Sequence, residues 1–188
     1  LTRYAVVGNP RSGTSMLMRA IDEGGIPAHR DRKRDDHAVR SDLSHNPHGF
    51  YEVPRGTFTD PTFPSIVPDG SVIKVFLADV ERFCQAGGSF RVALLRRDPS
   101  SVGSSYEALF GRPAMPSIFS TARYEAAMAH TIRVLSDAAS VLSITELDYD
   151  RLVEEPAAEF ERLVADGWPI DVATASRVPT DSLRHHIR

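Results

Sequence analysis

Lysine is nearly missing from this chain. Of its 22 Lys and Arg residues, only Lys33 and Lys74 are lysines. A lone arginine therefore says little about function, whereas a lysine inside an apolar run needs a reason. Cysteine is scarcer still. Cys84 stands alone, so no intrachain disulfide can form, and its place in VERFCQA points to packing on a helix. No apolar stretch approaches the roughly 20 residues that span a bilayer. Neither sign of charge dominates, with a formal net charge of -3, so bulk electrostatics favours neither nucleic acid nor a membrane as partner. Any anion site must be assembled locally. The histidines at 29, 37, 130, 185 and 186 show no metal-ligand spacing with cysteine or a carboxylate cluster, and no metal is expected.

What is present suits one soluble globular domain over residues 1–188, with 41% hydrophobic and 25% charged residues and enough chain for a sizeable core. The chain enters a strand almost at once, so no signal peptide is expected within it. A first residue other than Met suggests trimming, and a reducing, cytoplasmic location is the expectation.

The pattern along the chain predicts alternating strands and helices. Arg3 to Gly8 (RYAVVG) reads as a buried strand, and Ser12 to Glu23 as a helix stopped by Gly24-Gly25. Residues 29–37 carry a mixed charge run, HRDRKRDDH, read as a solvated surface. Irregular chain rich in Pro, Gly and Phe follows to residue 70, and long irregular segments inside a domain are usually functional or mobile. Further strands are predicted at Ser71 to Leu77, Arg91 to Leu95 and Val141 to Leu147. Helices are predicted at Asp79 to Ala86, from Pro99 to near Gly111, at Ala122 to Ala139, at Tyr149 to Glu154 and at Ala157 to Ala165. This order implies an α/β fold, a parallel sheet with helices on both faces, whose ligands bind at the carboxyl ends of the strands.

Three features lie at such ends. The first is VVGNPRSGTS, where Gly8 and Gly13 frame a loop between strand and helix. Glycines there let backbone approach an anion, the helix aims its first N–H groups at it, and Arg11, Ser12, Thr14 and Ser15 can add donors. The nucleotide-triphosphatase loop has Lys after its second Gly, where this chain has Thr14. Those enzymes also need a carboxylate for their metal, and only the late Glu146-Leu147-Asp148 offers one at a strand end. The second feature is LLRRDPSSVGSS. Ser105 lies eight residues after Arg97, about two helical turns into the next helix, so it can face back toward the strand end and suit a second phosphate. The third is Lys74, a cation inside an apolar strand, which is costly to bury unless paired.

Taken together, PRSGTS and RRDPSSVGSS resemble the PAPS-dependent sulfotransferases, PAPS being 3′-phosphoadenosine 5′-phosphosulfate. Residues 10–15 match the family's Pro-Lys/Arg-Ser-Gly-Thr-Thr/Ser loop, which cradles the 5′-phosphosulfate. The resemblance implies that Arg97 and Ser105 hold the 3′-phosphate. Tyr149 in DYDRLVEEP is similar to a family Tyr near the adenosine, and LRHHIR, with Arg184, resembles the basic segment that closes over the nucleotide. The likeness runs from residue 4 to about 186, strong in the first two motifs and weak elsewhere.

The implied activity is sulfuryl transfer from PAPS to a hydroxyl or amine by in-line attack, leaving PAP. A sulfuryl group carries less negative charge than a phosphoryl, so metal-independent chemistry fits. Arg11, the loop N–H groups and Lys74 would stabilise charge on the leaving phosphate. Many members place a His two residues after the equivalent Lys, where this chain has Phe76. Glu52, in a segment similar to the Asn-Pro-x-Gly-Phe/Tyr-x-Glu stretch of bacterial relatives, is the first choice of base, with His48 and His45 as alternatives. A small-molecule or glycan-like acceptor would lie against Phe50, Tyr51, Phe58 and Phe63, with a helix near Met115 to Tyr124 closing the other side. The pocket is open or completed by a second copy in a homo-oligomer. Two other readings remain: an ATP/Mg²⁺-dependent kinase or nucleotide hydrolase, and a non-catalytic nucleotide-binding relative.

Overall fold

The computed structural model describes residues 2–33, 35–36, 48–54, 56–110 and 120–179. Four strands, β1 (Arg3–Gly8), β2 (Val72–Phe76), β3 (Phe90–Arg96) and β4 (Val141–Asp148), form one sheet in the order β2-β1-β3-β4. Every pairing is parallel, with Val6 opposite Lys74 on one side and Ala93 on the other. The apolar runs predicted these strands because a parallel sheet is covered on both faces. Alternation along β1 divides the core. Tyr4 and Val6 join one buried cluster, and Ala5 and Val7 the other.

The first cluster lies under α1 (Thr14–Glu23), α5 (Tyr149–Glu154), α6 (Pro156–Ala165) and α7 (Val172–Ala175). The second lies under α2 (Val80–Gln85) and α4 (Thr121–Asp137), with α3 (Pro99–Phe110) beside α4. Phe63, Phe83 and Phe90 interlock in this second cluster, Phe83 and Phe90 meeting at 4.8 Å between ring centroids. Each fully buried phenylalanine contributes about 2 kcal/mol. The result is the expected three-layer parallel α/β arrangement. Among the described residues, no helix is long and apolar enough to cross a membrane.

Local chemistry sets the helix ends. α1 begins two residues later than the pattern suggested, at Thr14, because Gly13 takes the left-handed conformation at the N-cap (φ 95°). Asp98 caps α3 by accepting from the Ser101 N–H at 2.8 Å, and Asp148 caps α5 through the Asp150 and Arg151 N–H groups. Pro156 opens α6 at a position where a missing N–H is harmless. Helix α7, four residues of VATA, was not foreseen, since one turn leaves no readable period.

Two expectations change. The charge run that begins at His29 is not wholly solvated: Asp35 is buried, at 3% exposure. Tyr124 does not line an acceptor site. It is buried at the start of α4, where its hydroxyl accepts from the Arg97 N–H at 3.1 Å and burial pushes its pKa up. His45, Arg184 and the predicted helix start at Met115 lie outside the described residues.

The chain runs from β1 to β2 on one side and then crosses to β3 on the other. The loops after β1 and β3 therefore diverge to opposite faces, and the crevice between them is the place where such sheets bind ligands.

Candidate functional site

The loop of residues 9–13 fills that crevice. Ser12 turns inward, and both its N–H and its hydroxyl donate to the Asn9 carbonyl, at 3.2 and 2.7 Å. Arg11 is left-handed at φ 68°, an uncommon state for a residue other than glycine. Thr14 is buried, and its methyl would lie 2.7 Å from a Cβ added at Gly8. The Ser12 and Thr14 side chains therefore shape the loop from within. The backbone N–H groups of the first turn of α1 have no intrahelical partner, the arrangement that binds anions at helix N-termini.

The second motif meets the first directly. Arg11 Nε donates to Ser105 Oγ at 3.1 Å, and Arg97 Nη1 donates to the Arg11 carbonyl at 2.9 Å. The Arg97 guanidinium also stacks on the Tyr149 ring at 4.0 Å. That ring also lies close to Gly13, where an added Cβ would fall 2.4 Å from its carbons. Arg97 Nε is buried with no hydrogen-bond partner among the described residues. Arg96 points elsewhere, to Glu125 at 3.0 Å and Glu146 at 3.3 Å. Neither arginine forms the pair with Asp98 that simple strand-end capping would give.

Lys74 joins this loop to a cavity. It is buried, at 4% exposure, and donates to Ser15 Oγ at 3.1 Å and to the Phe50 carbonyl. Ser15 in turn donates to the same carbonyl at 3.1 Å. The Phe76 ring sits 5.2 Å from the ammonium and offers a π face to the cation. Beyond Lys74 opens a cavity of about 250 Å³, lined by Glu52, Phe58, Lys74, Phe76, Asp79 and Arg82 among others.

The structure thus brings Arg11, Ser15, Arg97, Ser105 and Tyr149 to the loop, and Lys74, Glu52 and Phe58 to the cavity. It separates others. Tyr51 is core, buried beneath α1 with Arg30 over its ring at 4.1 Å, and Phe63 is core on the opposite face. Phe50 is half-buried and contributes its carbonyl, while His48 is exposed and does not line the cavity. Three residues went unread. Asp79 and Arg82 line the cavity just past the end of β2, and the rule that ligands gather at strand carboxyl ends could have found them. Asp35 accepts the N–H groups of Phe50 and Tyr51 from fifteen and sixteen residues away, and no local signal marks it. Comparison with family models finds no match for this chain, and comparison with curated proteins finds none either.

Proposed function

We propose that the protein transfers the sulfuryl group of PAPS to a hydroxyl or amine of a small acceptor. The observation that carries this reading is the position of Lys74. It contacts the first turn of the loop helix through Ser15 and also lines the cavity that holds Glu52. A cation between an anion loop and an acceptor-sized cavity suits group transfer from one to the other.

PAPS supplies the sulfuryl group, whose bond to the 5′-phosphate oxygen breaks as the acceptor oxygen or nitrogen bonds to sulfur, leaving PAP. The loop N–H groups and Arg11 bind the 5′ end. Arg97 and Ser105 bind the 3′-phosphate, and Tyr149 holds the Arg97 plane. Lys74 stabilises negative charge at the transferring end. Glu52 accepts the acceptor's proton, and Phe58 and Phe76 exclude water around it.

Ligand-dependent thermal unfolding tests the reading, because a ligand bound to the native state raises Tm. PAP at about 100 times its Kd should stabilise by about 2.7 kcal/mol without metal. Stabilisation by ATP with Mg²⁺ but not by PAP overturns the reading in favour of a kinase or hydrolase.

A further inference from the structure

We propose that Asp35 is a positioning residue for Lys74, acting through the Phe50 carbonyl. Lys74 places its ammonium in a poor setting, buried and next to the positive end of α1. The Phe50 carbonyl compensates, and it accepts from Lys74 and Ser15 together. What holds that carbonyl is a fold of chain around one carboxylate. Asp35 Oδ1 accepts the Phe50 N–H at 2.9 Å, and its two oxygens accept the Tyr51 N–H at 3.1 and 3.2 Å.

The backbone there would not keep its shape unaided. Tyr51 is left-handed at φ 56°, an unusual state for an aromatic residue. Gly49, at φ 87°, lies so close that an added Cβ would come within 3.0 Å of Asp35 Cγ. Arg30 secures the carboxylate at 3.1 Å while lying over the Tyr51 ring. The Asp31 N–H donates to the Glu52 carbonyl at 2.8 Å, and the Asp35 N–H to the Asp31 carbonyl at 3.0 Å. Arg30, Asp31 and Asp35, from one short segment, thereby set the chain that carries both the Phe50 carbonyl and Glu52. The segment lies far from the loop in sequence and donates no group to the cavity, yet the ammonium's place depends on it.

The inference rests on the proposed function only for why the placement of Lys74 matters. Its test uses no nucleotide. With two lysines and one cysteine in the chain, acylation by an amine-reactive ester and alkylation of Cys84 can both be followed by mass spectrometry on one sample. Exposed Lys33 calibrates the reagent, and half-buried Cys84, packed on the opposite face of the sheet, reports general loosening. In Asp35→Asn, acylation of Lys74 should rise about tenfold, as expected when a charge-assisted hydrogen bond is weakened, while Cys84 alkylation stays unchanged. Equal Lys74 labelling in the variant and the parent overturns the proposal. So does a parallel rise at Lys74 and Cys84, which marks a merely structural role. If Asp35→Asn fails to fold, Arg30→Met, which removes the ion pair and keeps the carboxylate, is read by the same two outcomes. Failure of PAP to bind the parent protein would overturn the proposed function and leave this inference standing.

Discussion

At the carboxyl ends of β1 and β3, the groups that can meet an anion come from short spacings and from backbone. Loop residues 8–15 run continuously, and Arg97 and Ser105 belong to a single strand-to-helix turn. At the carboxyl end of β2, three separate stretches contribute. Lys74 comes from the strand, Glu52 and Phe58 come from irregular chain before it, and Asp35 holds that chain from earlier still. The first region is self-supporting, because glycine conformation and helix geometry fix it. The second depends on a buried carboxylate to keep a loop folded over the sheet. The loop at β1 and β3 is thus written locally, while the cavity beside it depends on whatever chain covers β2.

Lys74 belongs to both regions, so its removal gives the largest effect. Lys74→Ala should lower sulfuryl transfer from PAPS, measured over a panel of hydroxyl and amine acceptors, by 10²–10³-fold, about 3–4 kcal/mol of transition-state stabilisation. PAP affinity should change by no more than about fivefold, ~1 kcal/mol, because Lys74 reaches the loop only through Ser15. Full activity in this variant removes Lys74 from the chemistry and leaves the two regions unconnected.

The same contrast explains what the sequence made legible. The four strands and the order of the longer helices follow from local period, whereas PRSGTS and RRDPSSVGSS are joined by resemblance to a family pattern. Arg97 and Ser105 could be paired because one helix fixes their relation, and the Arg11–Ser105 hydrogen bond places both at the loop. Asp35 could not be read, since a carboxylate inside HRDRKRDDH looks solvated until chain from residues 49–51 wraps around it. Tyr51 sits beside Phe50 and Glu52 in sequence, but its left-handed backbone sends the ring into the core under α1 while Glu52 lines the cavity. Side-chain direction in irregular chain has no period to read.

Gly13→Ala tests whether the first region is as self-supporting as its backbone implies. The new Cβ would meet the Tyr149 ring at 2.4 Å, at a φ of 95° that alanine resists. Strain and overpacking together should cost about 3 kcal/mol and lower Tm by ~10 °C. Calorimetry should show PAP binding lost along with Tm, since the same glycine shapes the loop. Unchanged PAP affinity would mean that the loop is only a turn that starts a helix.

Arg97→Met gives the smallest effect and separates the two phosphates. Arg97 has two roles that fail differently. Its Nη1 braces the Arg11 carbonyl, whereas its Nε, without a partner among the described residues, belongs to the guanidinium that the proposed function sets against the 3′-phosphate. Methionine keeps the apolar stem on Tyr149 and deletes both donors. If the assignment is right, PAP should bind more weakly by about 1.5–3 kcal/mol, roughly 10- to 100-fold, the range for a hydrogen bond to a charged group. Adenosine 5′-phosphate, which lacks the 3′-phosphate, should weaken only through the lost brace, and by less than PAP. Equal weakening of both nucleotides would assign Arg97 to the loop alone and leave the second phosphate without a site. The pair of ligands therefore decides whether the Arg97 guanidinium marks a phosphate or only a brace.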